Sequence, residues 1–235
     1  MTDRRAPTGA WKRATIREVT HPTSHGVALR IEVHDRIAHW AGQHYVVRLT
    51  AEDGYTAQRS YSIASAPDDE LIELYVERLE DGEVSTYLAD VAAVGDELDV
   101  RGPIGGWFVW TGDHPAVGVA GGSGIVPLIA MQRLAVSLGQ VDLFRLIVSA
   151  RTAADVVFSD ELKEDHDVVV LTREASVDGR AAGRLTTADL RPMLVAEATY
   201  FVCGSPAFTE AASDLLGDIG VAPASIRVES FGPSA

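Results

Sequence analysis

In the first half of the chain, apolar residues recur at every second position in short runs cut by turn residues, the pattern of half-buried strands. Such runs cover 14–19, 27–33, 44–49, 58–64, 72–77 and 97–101, separated by stretches such as Glu52-Asp53-Gly54 and Ala66-Pro67-Asp68-Asp69. Several short strands at near-regular spacing predict a sandwich or a barrel. One helix interrupts the series. Val84, Leu88 and Val91 stand at helical spacing behind Asp81-Gly82, which predicts about two turns over 84–91.

From Val117 the rhythm changes to alternation of strand and helix. Short apolar strands are expected at 117–120, 144–150, 168–171, 200–203 and 225–228, with helices at 125–138 and 207–216 and further helical patterns between the strands. This order predicts a parallel sheet covered by helices on both faces. The change falls in a linker-like stretch near Trp110 to Pro115 and divides the chain into 11–112 and 113–235.

Composition and charge then narrow the classes of function. The 235 residues are 46% hydrophobic and 23% charged, values of a globular protein large enough to fold without staples. Asp and Glu number 34 against 20 Lys and Arg, a net charge of −14, and the halves on either side of residue 114 carry −8 and −6. With no basic half, neither nucleic acid nor an anionic membrane is an expected partner. The one cysteine, Cys203, cannot close an internal disulfide, hold zinc alone or carry an iron–sulfur cluster. No metal site is expected, and electron chemistry would have to use something else. The uncharged run 115–132 is long enough to raise a membrane question. It contains Gly121-Gly122-Ser123-Gly124 and Pro127, however, and reads as strand, loop and helix start. The first residues lack the apolar core of a secretory signal, so a soluble, cytoplasmic protein is the expectation.

Ligands of an open parallel sheet gather at the carboxyl ends of its strands. After the first such strand comes Gly121-Gly122-Ser123-Gly124-Ile125-Val126-Pro127, where bare backbone amides at a helix start suit a pyrophosphate. Pro127 stands where the standard dinucleotide fingerprint has a third glycine, and a plain tight turn is the alternative. After the second and third strands stand Arg151 and Arg173. A cation at this level suits a 2′-phosphate better than free ribose hydroxyls, and a surface ion pair is the alternative. After the fourth comes Cys203-Gly204-Ser205-Pro206, which is either core or the edge of the same site.

In the first half, the segment Gln58-Arg59-Ser60-Tyr61-Ser62 places Arg59 and Tyr61 on one strand face and Ser60 and Ser62 on the other. A phosphate-binding guanidinium and a ring able to cover a flat ligand thus share a face, as would an ordinary exposed Arg–Tyr pair. Gly82-Glu83-Val84-Ser85-Thr86 opens the short helix as a second anion site or a plain N-cap.

Arg59-Ser60-Tyr61-Ser62, Tyr75-Val76-Glu77-Arg78, Gly82-Glu83-Val84-Ser85, Gly102-Pro103-Ile104-Gly105, the glycine turn, Cys203-Gly204-Ser205-Pro206 and Glu229-Ser230-Phe231 resemble the ordered motif series of the ferredoxin–NADP⁺ reductase superfamily. Among its members the chain looks most like stand-alone bacterial reductase components without a fused iron–sulfur module. The resemblance implies a six-stranded antiparallel Greek-key β-barrel over 11–112 that binds FAD, and an α/β parallel-sheet domain over 113–235 that binds NAD(P). It implies that Arg59 pairs with the FAD diphosphate, with Ser60 in the same strand motif, that Tyr61 packs on the isoalloxazine and that Ser62 bonds near N5. Val76 and Arg78 would line the ribityl and adenosine side, and Val84 and Ser85 would hold the pyrophosphate. Gly122, Ser123 and Gly124 would receive the nicotinamide nucleotide, although Ser123 stands where threonine is common. Arg151 and Arg173 would meet its adenosine end, with NADP favoured over NAD. Cys203, with Gly204, would lie beside the nicotinamide C4, near Glu229 and Phe231, the aromatic that can cover the flavin.

The implied activity is that of an FAD-dependent NAD(P)H oxidoreductase that passes electrons to a separate acceptor, a ferredoxin or an oxygenase component. Ser62, Cys203 and Glu229 are the expected catalytic residues. Alternatives are an NAD(P)H:flavin reductase acting on free flavin and a cofactor-binding subunit active only in a complex. Arg4, Arg5, Lys12 and Arg13 offer a basic patch for an acidic partner or form a solvated tail.

Overall fold

The computed structural model describes residues 9–163, 166–176 and 179–232. Six strands come first: β1 (Lys12–Thr23), β2 (Gly26–Val33), β3 (His44–Thr50), β4 (Thr56–Ser62), β5 (Ile72–Glu77) and, beyond helix α1 (Glu83–Asp90), β6 (Glu97–Ile104). They pair antiparallel in the order β4-β3-β6-β1-β2-β5. The two ends of the sheet meet where Ile63 bridges to Leu74 and the Ala64 amide donates to the Glu73 carbonyl at 2.8 Å, so the sheet curls into a barrel. Alternation supplies its core: Ile16, Leu29, Ile31, Tyr45, Val47, Leu74 and Val100 point inward, and α1 adds Val84 and Leu88.

Two strands run longer than alternation predicts. In β1 the register shifts between Ile16 and Glu18 and again between Thr20 and Thr23, and each irregularity breaks the period that a sequence reading follows. In β6 the strand continues through Gly102-Pro103, which reads as a stop. A Cβ on Gly102 would lie 2.6 Å from the Tyr45 ring, so the glycine is there for a close approach and not for a turn.

The second half holds β7 (Ala116–Gly121), α2 (Val126–Ser137), β8 (Phe144–Ala150), β9 (Val168–Leu171), α3 (Thr187–Leu190), β10 (Thr199–Gly204), α4 (Pro206–Asp218) and β11 (Ile226–Ser230). The strands are parallel, in the order β11-β10-β7-β8-β9. The first of these helices enters through a 3₁₀ turn at Gly122–Ile125. Between β8 and β9 the described residues form two 3₁₀ turns, Ala153–Asp155 and Ser159–Glu161, in place of a helix. Val156 and Val157 are buried there, and the Phe158 ring meets Tyr75 edge-on at 6.2 Å, so this connection packs against the barrel. One face of the sheet is therefore covered by α2, this segment and the barrel, and the other by α3 and α4 with Leu190, Ala212 and Leu216.

The two halves share a core. Ala41, Ala64, Tyr75, Phe108 and Trp110 from the first join Ile125, Met131, Phe144 and Phe201 from the second in one buried cluster. The stretch after Trp110 that reads as a linker wraps this indole, which is 1% exposed, lies 5.3 Å from the Phe144 ring and donates from Nε1 to the His114 carbonyl at 2.9 Å. Among the described residues no helix is long and apolar enough to cross a membrane, and no group of His, Cys, Asp and Glu side chains could hold a metal ion.

Trp110→Ala should cost about 3–5 kcal/mol, since it empties a site that cannot collapse from either half alone. Urea unfolding monitored by circular dichroism measures it, and a loss below about 1 kcal/mol would mean that the shared core does not hold the halves together.

Candidate active site

The parallel sheet runs outward from β7 to β8 and β9, then returns to place β10 on the other side of β7. Its topological switch point therefore lies between β7 and β10, where ligands of such sheets bind. The residues at that point can only be small. A Cβ on Gly124 would lie 2.2 Å from the Cys203 carbonyl oxygen, and Gly122 takes a left-handed φ of 55° with open space where its side chain would be. The turn thus sits hard against the end of β10 with its backbone bare.

Three side chains from separate elements converge there. Cys203 and Glu229 are register partners on β10 and β11. Ser62, at the end of β4, brings its hydroxyl close enough to Glu229 to favour the charged carboxylate, although the two form no hydrogen bond of good geometry. Burial is the stronger influence and pushes the Glu229 carboxyl up to about 7. Burial also raises the Cys203 thiol well above its ordinary value, with the charge of Glu229 adding to it and the Gly204 amide opposing. The thiol is fully buried and therefore neutral. All three expected catalytic residues meet at one place.

On the β4 strand, Arg59 and Ser60 are exposed, and Arg59 donates only to the neighbouring Gln58 carbonyl, at 2.7 Å. Tyr61 packs partly on the barrel core, and its hydroxyl, like that of Ser62, is buried with no hydrogen-bond partner. Burial raises the Tyr61 phenol above its ordinary pKa, against a small opposing effect of Arg59. Ser123 donates to the Glu77 carboxylate at 2.8 Å, which ties the glycine turn to the end of β5. Phe231 extends the ladder, its amide donating to the Gly204 carbonyl at 2.8 Å, and its ring packs against the core shared by the two halves.

Other expected residues are engaged differently. Val76 and Val84 are buried in the barrel core, so they present only main chain to a ligand. Ser85 Oγ accepts from the Leu79 amide and donates to the Gly82 carbonyl, both at 3.2 Å, and so closes the turn ahead of α1. Arg78 is paired with Asp90 at 2.9 Å. Arg151 and Arg173 lie on adjacent segments, the Arg173 amide donating to the Arg151 carbonyl at 2.9 Å, and both side chains are exposed without an ion pair among the described residues. Of the basic cluster near the start, Arg4 and Arg5 lie outside the described residues, Lys12 donates to the Asp35 carbonyl, and Arg13 faces Glu97 and Asp99, each at 3.6 Å.

Sequence reading assigns no role to three residues near this site. His44 is the register partner of Ser62, and burial lowers its pKa so that the imidazole is neutral. Glu77 holds Ser123, and Arg133 of α2 bonds to Ala64, Glu73 and Glu161. Arg133 leaves a trace in the sequence as the single cation of an otherwise uncharged helix, and Glu77 as a member of the Tyr75-Val76-Glu77-Arg78 motif.

The family described as "Oxidoreductase FAD-binding domain" matches residues 15–109. The Flavohemoprotein of Bacillus subtilis is 30% identical over 210 residues, 82% of this chain and 51% of its own. A ferredoxin–NAD(P)⁺ reductase component of naphthalene 1,2-dioxygenase/salicylate 5-hydroxylase systems from Ralstonia is 28% identical over 94% of this chain and 69% of its own. The chain thus spans about half the length of the first of these relatives. Among solved structures, the Amycolatopsis cytochrome P450 reductase GcoB is 28% identical with a TM-score of 0.80 over 95% of this chain and 70% of its own. A ferredoxin NADP⁺ reductase from Neisseria gonorrhoeae with bound FAD and NADP shares the fold at 22% identity, with a TM-score of 0.80 over 94% of this chain and 99% of its own.

Glu229 gives a pH test of this geometry. The folded protein holds the Glu229 proton more tightly than the unfolded chain, so that stabilisation is fully present below the unfolded value of 4.5 and is lost as pH rises through about 7. Glu229→Gln should therefore show a smaller fall in melting temperature between about pH 4.5 and pH 8 than the parent protein. An equal fall would refute the burial of this carboxyl.

Proposed function

As the chain belongs to the FAD- and NAD(P)-binding oxidoreductases of ferredoxin–NADP⁺ reductase type, we propose that it oxidises NAD(P)H through a bound FAD and passes the electrons to a separate acceptor protein. The observation that carries this reading is the meeting of Ser62 from the barrel with Cys203 and Glu229 at the switch point of the parallel sheet. FAD, when bound, supplies a ring that takes two electrons as hydride and can give them up one at a time.

The residues present fit that group. Buried hydroxyls without partners are costly, and Tyr61 and Ser62 each hold one that a polar heteroaromatic ring would satisfy. In this reading Arg59, exposed and without an acidic partner among the described residues, receives the diphosphate, together with main-chain amides at Val84 and Ser85. Tyr61 supplies an aromatic face and Ser62 a hydroxyl for the reacting edge. Main chain at Val76 and the Arg78–Asp90 pair border the ligand's sugar side. Gly122, Ser123 and Gly124 accept the nicotinamide nucleotide, and its ribose hydroxyls or pyrophosphate replace Glu77 as the partner of Ser123. The neutral Cys203, next to Gly204, excludes water beside the nicotinamide, and Glu229 holds a proton at that edge until pH approaches about 7. Phe231 packs where the two rings would meet. No step requires a metal, so the chain's contribution is orientation at close approach.

Arg151 and Arg173 favour NADPH over NADH, because a 2′-phosphate suits two exposed guanidinium groups without an ion pair among the described residues better than ribose hydroxyls do. The acceptor is a ferredoxin or an oxygenase component, the class named in the Ralstonia relative and in the 3-ketosteroid-9-alpha-monooxygenase ferredoxin reductase component of Rhodococcus rhodochrous.

The purified protein is expected to be yellow after dialysis and to bleach when NADPH is added without oxygen. A colourless protein that takes up no FAD would end this reading, and one that turns over only added free flavin would make it a flavin reductase. Arg151→Ala should raise the KM for NADPH on the order of tenfold and leave that for NADH within about twofold, as expected for loss of one charge-assisted bond to phosphate. Equal effects on both nucleotides would remove Arg151 from cofactor selection.

A further inference from the structure

Arg133 lies about two turns into the helix that opens at the nucleotide turn, and its guanidinium is spent wholly on the seam between the halves. Nη1 donates to the Glu73 carboxylate at 2.5 Å and to the Ala64 carbonyl at 2.9 Å, both on the barrel. Nε and Nη2 donate to the two oxygens of Glu161 at 2.8 and 2.5 Å, a bidentate fork on the β8–β9 connection. The guanidinium carbon stands 5.0 Å from the Phe158 ring centroid, and that residue takes a left-handed φ of 58°. Glu73 is 7% exposed.

Stability alone does not call for this arrangement. A buried ion pair is a weak source of stability compared with well-packed apolar groups of the same size, and the seam already has such groups in Phe108 against Phe201 and Trp110 against Phe144. What directional bonds add is one defined geometry. Ala64 lies two residues beyond Ser62, and α2 is continuous with the turn that begins at Gly122, so the bonds to Arg133 tie the strand end to the helix behind the turn, in addition to the Ser123–Glu77 bond at the turn itself.

We propose that Arg133 is a positioning residue for hydride transfer, fixing the separation between the strand end that carries Ser62 and the turn that receives the nicotinamide. This rests on the function proposed above. Approach of the two rings is sensitive to displacements of about 1 Å, which cost on the order of 100-fold in rate. Lysine cannot replace arginine here, because one ammonium cannot span the Glu161 fork and also reach Glu73 and Ala64.

The test uses Arg133→Met in the full chain with FAD, read by anaerobic stopped flow. Hydride transfer should slow on the order of 100-fold, and the long-wavelength charge-transfer absorbance of the nucleotide complex should vanish. FAD occupancy and nucleotide Kd should stay within about twofold of the parent, a split between binding and rate that general loosening of the fold does not produce. If Arg133→Met does not fold, Arg133→Lys and Glu161→Gln are measured the same way and should show the same split to a smaller degree. An unchanged rate and charge-transfer band at full FAD occupancy would overturn the proposal. Hydrogen exchange of the FAD-free protein provides a second reading. Amides at 62–65 and 122–126 should lose protection together in the variants, and unchanged protection would also overturn it. A parent protein that binds no FAD would refute the proposed function, while the exchange measurement would still decide whether Arg133 joins the two cradles.

Discussion

The half-buried guanidinium of Arg133, held by carboxylates and a carbonyl from two separately built layers, is the contact on which, in the proposal above, the geometry of the cleft depends. Apolar contacts along the same seam are strong but slide easily, because dispersion and burial vary little with small lateral shifts. Charge-assisted hydrogen bonds do not slide, since their energy falls steeply with angle and distance. Burial works against the charge on Arg133, but the bonds from Glu161 and Glu73 outweigh it and hold the group protonated. A protein whose chemistry needs two ligands in contact must specify the distance between their cradles. In the proposed function that distance is set through Ala64, two residues beyond Ser62, on one side and through α2, which leads back to the glycine turn, on the other.

Period-2 alternation made the barrel strands legible, because their inward residues meet one common core and their outward residues meet water. The parallel strands were legible as short apolar runs bounded by turns, and β8 and β9 match their expected bounds. Legibility failed where long-range contacts override local pattern. The irregular register of β1 hides its second half, and the β8–β9 connection is not helical because Val156, Val157 and Phe158 face the barrel in succession. At the site, the motif order pointed to Ser62, Cys203 and Glu229, but only the fold places Cys203 opposite Glu229 and Ser62 near both. Motif position also says nothing about where a side chain points. Val76 and Val84 face the barrel interior, and Arg78 and Ser85 bond within the protein. Arg133, Glu77 and His44 gain significance only from partners roughly 20 to 70 positions away, a kind of information that spacing along the chain does not hold.

The charge distribution follows a division between surface and cleft. The chain carries −14 overall, yet the groups that line the meeting place are neutral or pushed toward it. Burial raises Cys203 and Tyr61, raises Glu229 to about 7 and lowers His44, and in each case the desolvated group avoids charge instead of finding a counterion. Charged side chains stand around this neutral centre: Glu77 bonded to the glycine turn, the Arg78–Asp90 pair, Arg59, and Arg151 with Arg173. Dinucleotide cofactors have a related arrangement, with anionic phosphates remote from the reactive ring.

That neutrality bears on what the chain leaves to others. In the proposed function, hydride would carry one negative charge from the donor ring to the acceptor ring, and a cleft whose buried groups are mostly neutral would leave that charge largely to the two rings themselves. Positioning is then the main contribution the protein can make, and it comes from backbone at Gly122 and Gly124, from the paired strands β10 and β11 and from the bonded seam. Single-electron delivery to an acceptor protein, as proposed above, would make a different demand, that of approach by a second protein across a surface rich in carboxylates. Mutual repulsion would slow an acidic acceptor at low ionic strength and salt would relieve it, the opposite of the salt dependence of an encounter between unlike charges. The sign of that salt effect therefore distinguishes an acceptor recognised through apolar contact from one steered by positive charge of its own.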